Sequence, residues 1–74
     1  MSPEEYKRSH DLGIQMLKMC KDIYRKCDDS ETAARQTAQH YVESGIMQCP
    51  VEDLTGMLIL ELMHHIKPNG ELIE

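Results

Sequence analysis

The 74-residue sequence has no Trp and no Phe, and its aromatic side chains are limited to Tyr6, Tyr24 and Tyr41. Without large aromatic anchors, a core has to be assembled from Leu, Ile, Met, Ala and Val. Basic residues are also scarce: eight Lys and Arg stand against thirteen Asp and Glu, for a net charge of −5. A duplex-binding domain carries a basic patch as its electrostatic footprint, so this balance argues against nucleic acid as a partner. Lys7, Arg8, Lys18, Lys21, Arg25 and Lys26 gather most of the positive charge near the start, but Asp11 and Asp22 interleave with them. That pattern reads as a mixed, solvated helix face.

Other absences narrow the class further. No C-x-x-C pair and no signal peptide accompany the three cysteines, Cys20, Cys27 and Cys49. An odd number of isolated cysteines points to free thiols and a reducing, cytoplasmic setting. Cys20 and Cys27 are seven residues apart, which on one helix separates them by about 10 Å, too far for a bridge. The most apolar stretch, Val51 to Ile66, spans 16 residues and contains Glu52, Asp53 and Glu61. A membrane-spanning helix needs about 20 predominantly apolar residues, so no membrane partner is expected. No strand-like alternation, repeat, low-complexity tract or internal linker occurs.

What is present reads as one all-α domain over residues 1–74, a small three-helix bundle with helices over about 3–27, 30–44 and 50–66 and a tail over 67–74. Ser2, Pro3 and Glu5 form a helix start: a capping serine, a proline at the first helical position and the Ser-x-x-Glu pattern. Leu12, Met16, Met19, Cys20, Ile23 and Cys27 recur at helical spacing, beside a row of Tyr6, His10, Gly13, Leu17 and Tyr24. Gly13 inside a helix costs about 1 kcal/mol relative to Ala, which suggests close approach of another helix there. Asp28 and Ser30 are competing caps for helix two, whose buried stripe is Ala34, Thr37, Ala38, Tyr41 and Val42. Gly45 suits the left-handed stop after it. Pro50, Glu52 and Asp53 make a start for helix three, in which Gly56 marks a bend or a second close crossing. Lys67-Pro68-Asn69-Gly70 ends it in a turn, and Leu72 and Ile73 can fold back on the bundle. Helices one and two are antiparallel neighbours, with helix three in the groove they form.

Helix three is the informative element. A surface helix of a monomer carries an apolar stripe opposite a charged face. Here Val51, Leu54, Leu58 and Leu62 make one stripe, while Met57, Ile59, Leu60, Met63 and Ile66 spread over most of the rest. A chain this short buries only about 60% of its unfolded surface, and two short helices cannot cover a third on all sides. The expectation is a homodimer completed through helix three, with Met57, Leu60, Glu61, Met63 and His64 at the interface.

Candidate chemistry is sparse, and each motif has a structural explanation. Glu61-x-x-His64 has the i, i+3 carboxylate and imidazole spacing of di-iron bundles, but such a site needs further ligands. The adjacent His64 and His65 point about 100° apart on a helix and cannot chelate one metal together; as cations they would suit a helix C-terminus, which admits a pH-sensing role. Cys49, just before a helix N-terminus, is a position where a thiol can be activated, yet no oxyanion feature or glycine-rich loop accompanies it. His10, Met16, Met19 and Cys20 resemble a soft-metal set but fit better as a helix face turned to the core. A helix-turn-helix through Gly45 would need a polar or basic reading helix, and helix three is apolar. The expected function is a small protein–protein interaction or regulatory module, without enzymatic activity or cofactor, whose protein partner the sequence does not name. The alternative is a metal-binding or redox protein using Glu61 and His64 across a dimer.

Overall fold

The computed structural model describes residues 2–73; Met1 and Glu74, the ends of the single domain expected from sequence, lie outside the described residues. Three helices follow one another, α1 over Pro3–Cys27, α2 over Ser30–Glu43 and α3 over Val51–Met63. They pack compactly, as the hydrophobic spacing of an all-α chain requires.

The caps explain where each helix begins and ends. The Ser2 side chain accepts a hydrogen bond from the Glu5 N–H at 3.2 Å, starting α1 as Ser-x-x-Glu implies. At the other end Asp28 takes a left-handed conformation, φ 56° and ψ 30°, and its N–H donates to the Tyr24 carbonyl. Asp and Asn are the non-glycine residues that tolerate this region best. Because Asp28 closes α1, neither it nor Ser30 caps α2. Asp29 does so, between the two candidates, accepting from the Glu31 N–H and the Thr32 hydroxyl. These bonds to the ionised form hold the Asp29 carboxyl below its ordinary value.

The helix α2 stops at Glu43, and Gly45 follows with φ 81°, the left-handed position its sequence context implied. Pro50 is the N-cap of α3 rather than its first helical residue, and it supplies no side-chain cap bond. The greater departure from the expected boundaries is at the other end, where α3 ends at Met63 instead of reaching Ile66. Pro68 explains this: its ring clashes with the carbonyl four residues earlier and disfavours helical backbone at Lys67. The last turn tightens through His65 N–H to Leu62 O and Ile66 N–H to Met63 O. The chain then doubles back through Lys67–Gly70, so that Ile66 and Leu72 form an antiparallel bridge. Tyr24 fastens this turn to α1 by donating its hydroxyl to the Gly70 carbonyl at 3.0 Å. Leu72 thus packs on the core, while Ile73 remains exposed.

The core joins Met16 and Cys20 of α1, Ala33, Ala34, Thr37, Ala38 and Tyr41 of α2, and Leu54, Leu58 and Leu62 of α3. The small residues of α2 form its centre. Thr37 and Thr55 are buried without penalty because each hydroxyl donates to the carbonyl four residues back, Ala33 at 2.8 Å and Val51 at 2.7 Å. The third helix does not sit evenly between the other two. It leans on α2 and touches α1 least, leaving a groove between α1 and α3. The 25-residue α1 also outruns its 14- and 13-residue partners, so Pro3 to Asp11 stand clear of the core. Neither glycine marks a close crossing within the chain: a Cβ at Gly13 or Gly56 would have no neighbouring side chain or other element within 4 Å. Cys27, expected on the buried face, is exposed at the last position of α1.

Two measurements check this packing. Ala38 is fully buried, so Ala38→Leu should overpack the centre and lower stability by about 1–3 kcal/mol in urea denaturation. Gly13→Ala meets open space and should instead raise stability by about 0.5–1 kcal/mol. The cap of α2 gives a pH test. A carboxyl with a depressed folded value contributes stability above its unfolded pKa and loses it as pH falls through the folded one. Asp29→Ala should therefore lower the urea midpoint at neutral pH, and its difference from wild type should shrink as the solution is acidified below the ordinary carboxylate value of 3.8.

Candidate interaction surface

The lean of α3 toward α2 decides which of its side chains meet water. Leu54, Leu58 and Leu62 are buried, and Ile59 is half-buried. On the opposite side Met57, Leu60 and Met63 are 61%, 64% and 59% exposed. They recur every three residues, so they form one slanting apolar ridge along the helix. Glu61 and His64 flank it and are also exposed. The five residues expected at an interface therefore share the outer side of α3. The apolar residues are the unusual part, because a solvent-facing stripe on a small helix is ordinarily charged.

The ridge borders the groove between α1 and α3. An open depression of about 350 Å³ is lined by His10, Gly13, Ile14 and Leu17 of α1 and by Met57 and Glu61 of α3, among others. Ile14 is 54% exposed there. A second depression continues from Ile14 and Leu17 past Lys18, Lys21 and the ion pair of Asp22 with Arg25, 2.8 Å apart, to His65. The groove is thus more apolar around Ile14 and Met57 and carries mixed charge toward the end of α1. Sequence spacing placed Ile14 in no buried row. Its exposure beside Met57 follows from how α1 and α3 are held together, which the spacing along α1 does not contain.

The candidate chemical motifs are not assembled within one chain. Among the described residues, no three His, Cys, Asp or Glu side chains gather to hold a metal ion. Glu61 and His64 both point outward, so a metal there would need ligands from elsewhere. The His10, Met16, Met19 and Cys20 set is divided: Met16 and Cys20 belong to the core, while His10 is exposed and stacks on Tyr6 with ring centroids 6.4 Å apart. Cys49 is half-buried and packs on the core. His65 lends its carbonyl to the Ile73 N–H, which ties the returning tail to the end of α3. No helix among the described residues is long and apolar enough to cross a membrane.

The three thiols differ in environment. Burial raises the Cys20 thiol above its ordinary pKa, an effect that the neighbouring Thr37 hydroxyl partly offsets and Cys27 reinforces. Cys27 is exposed and its Sγ donates to the Asp29 carbonyl at 3.5 Å. Comparison of the chain with protein-family models, with curated proteins and with solved structures found no match.

All three cysteines are free, so a thiol reagent should titrate three per unfolded, unreduced chain. In the native protein Cys27 should react at once, while Cys20, fully buried and held protonated, should react only as the chain opens.

Proposed function

We propose that this chain is a small protein–protein interaction or regulatory module that acts through the exposed side of α3, and that a second copy of the chain is the partner for that side. One observation carries the reading. Met57, Leu60 and Met63 lie together in water on a helix whose opposite face already fills the core. Contiguous apolar patches of a few hundred Å² on small proteins mark interaction surfaces more often than isolated exposed residues do. Composition supports the same class: the net charge of −5 disfavours nucleic acid.

Association offers this chain what its length denies it. Burying one Leu-sized side chain contributes about 1.5–3 kcal/mol, and a twofold contact buries each such residue twice. The patch is small beside the 1,200–2,000 Å² or so of a standard stable interface, so the contact is a weak, concentration-dependent one that a regulatory partner could displace.

Leu60→Glu tests the reading. Leu60 is largely exposed, so the substitution should leave the stability of the dilute protein within about 0.5 kcal/mol of wild type. Light scattering over a concentration series should show the wild type rising from 8.6 kDa toward twice that mass, while the variant stays monomeric. A wild type that remains at 8.6 kDa up to millimolar concentration excludes the second copy as the partner.

A further inference from the structure

Asp53, Met57, Leu60 and His64 are all exposed and are spaced four, three and four along α3. This is the spacing of the a and d positions of a coiled-coil seam. His64 belongs to it geometrically, because with φ −68° and ψ −15° it continues the helical backbone past Met63. The series reads the same from either end. Reversing the helix brings Asp53 to the place of His64, and Met57 to the place of Leu60.

We infer that two copies of the chain pair through α3 in one antiparallel, twofold register, with Met57 of each against Leu60 of the other and Asp53 of each against His64 of the other. The inference rests on the interaction-module reading above and specifies its partner and geometry. Polar complementarity selects this register, because an imidazole N–H can donate to a carboxylate while two carboxylates set face to face repel. The alternative parallel twofold would set Asp53 on Asp53 and His64 on His64. The antiparallel one sets an acid on a histidine at both ends and an apolar pair on an apolar pair in the middle. Like charges placed face to face are strongly disfavoured at an interface.

Two further features fall into place in the same register. Gly56 lies at one margin of the seam, exposed, with no neighbouring side chain or other element within 4 Å of where its Cβ would be. Met63 lies along the same margin near the other end. Turning one helix over brings Met63 of each copy onto the stretch of bare backbone that Gly56 leaves on the other. The third exposed apolar residue of α3 thereby gains cover, and the mid-helix glycine, which nothing within the chain uses, gains a reason. Glu61 lies along the opposite margin, one turn from His64, where it adds a second carboxylate beside the histidine that meets Asp53.

Sedimentation equilibrium across a concentration series decides the register, with circular dichroism confirming that each variant is helical. His64→Glu places a carboxylate against Asp53 and should weaken dimerisation by about tenfold. Adding Asp53→Lys to it sets opposite charges across the contact only if position 53 faces position 64, and the double variant should return to within about threefold of wild type. In a parallel pair the double variant keeps Lys on Lys and Glu on Glu and stays weak, which overturns the inference. Gly56→Gln supplies a second test that loss of folding cannot imitate. It should raise the urea midpoint of the dilute monomer, because glutamine is the better helix former, and weaken the dimer by filling the space Met63 needs. Dimerisation of Gly56→Gln at wild-type strength overturns the register. If Leu60→Glu abolishes association while these variants do not behave as stated, the α3 surface stands and the register falls. A wild type that never dimerises overturns both.

Discussion

The whole structure depends on how closely α2 can be approached. Ala33, Ala34, Thr37 and Ala38 are fully buried, and their short side chains let α1 and α3 pack against one helix without large aromatic filler. The interior of a protein is packed nearly as densely as a crystal, so a chain without Phe or Trp reaches that density by bringing backbones together. Cys20 and Met16 meet the alanine stripe from α1, and Leu54, Leu58 and Leu62 meet it from α3. Thr37 takes a place among them only because its hydroxyl has the Ala33 carbonyl to bond.

A core built this way is efficient but small, and that governs the surface. One side of α3 satisfies the interior; the helix carries more apolar residues than that side has room for. The three leucines turn inward and Met57, Leu60 and Met63 are left outside. The long α1 could have covered more, yet α3 leans toward α2, and the groove against α1 stays open around Ile14 and Leu17. The flexible, polarizable methionines that border this surface suit contacts that form and dissolve. An interaction surface is thus the natural by-product of a fold whose third helix is more apolar than its own core requires.

The tail shows the same economy. Pro68 forbids α3 from running on, and the freed chain turns back so that Leu72 reaches the core and Ile66 pairs with it. The Tyr24 hydroxyl holds the turn from the side of α1. One of only three tyrosines therefore links the first helix to the last residues, a connection between positions 46 apart in the chain.

Much of this was legible in the residues themselves. Ser2, Pro3 and Glu5 set the start of α1 through local capping, Gly45 set the stop after α2 through its left-handed backbone, and the period of Ala34, Thr37, Ala38 and Tyr41 identified the buried stripe. The two caps rest on interactions within a few residues, which sequence contains in full, and the stripe rests on a period that marks the apolar side of the helix. The outward residues of α3 were also legible, because the excess of apolar positions over one stripe is a matter of counting. Other features required the tertiary structure. Asp29 became the cap of α2 only because Asp28 was already spent on the end of α1. Gly13 and Gly56 looked like crossing points, but whether a second helix lies over a glycine depends on the relative placement of whole elements. The exposure of Ile14 beside Met57 likewise follows from the lean of α3. Periodicity reports which side of a helix is apolar, and it carries no information about which neighbour that side will meet or how far along it the neighbour extends.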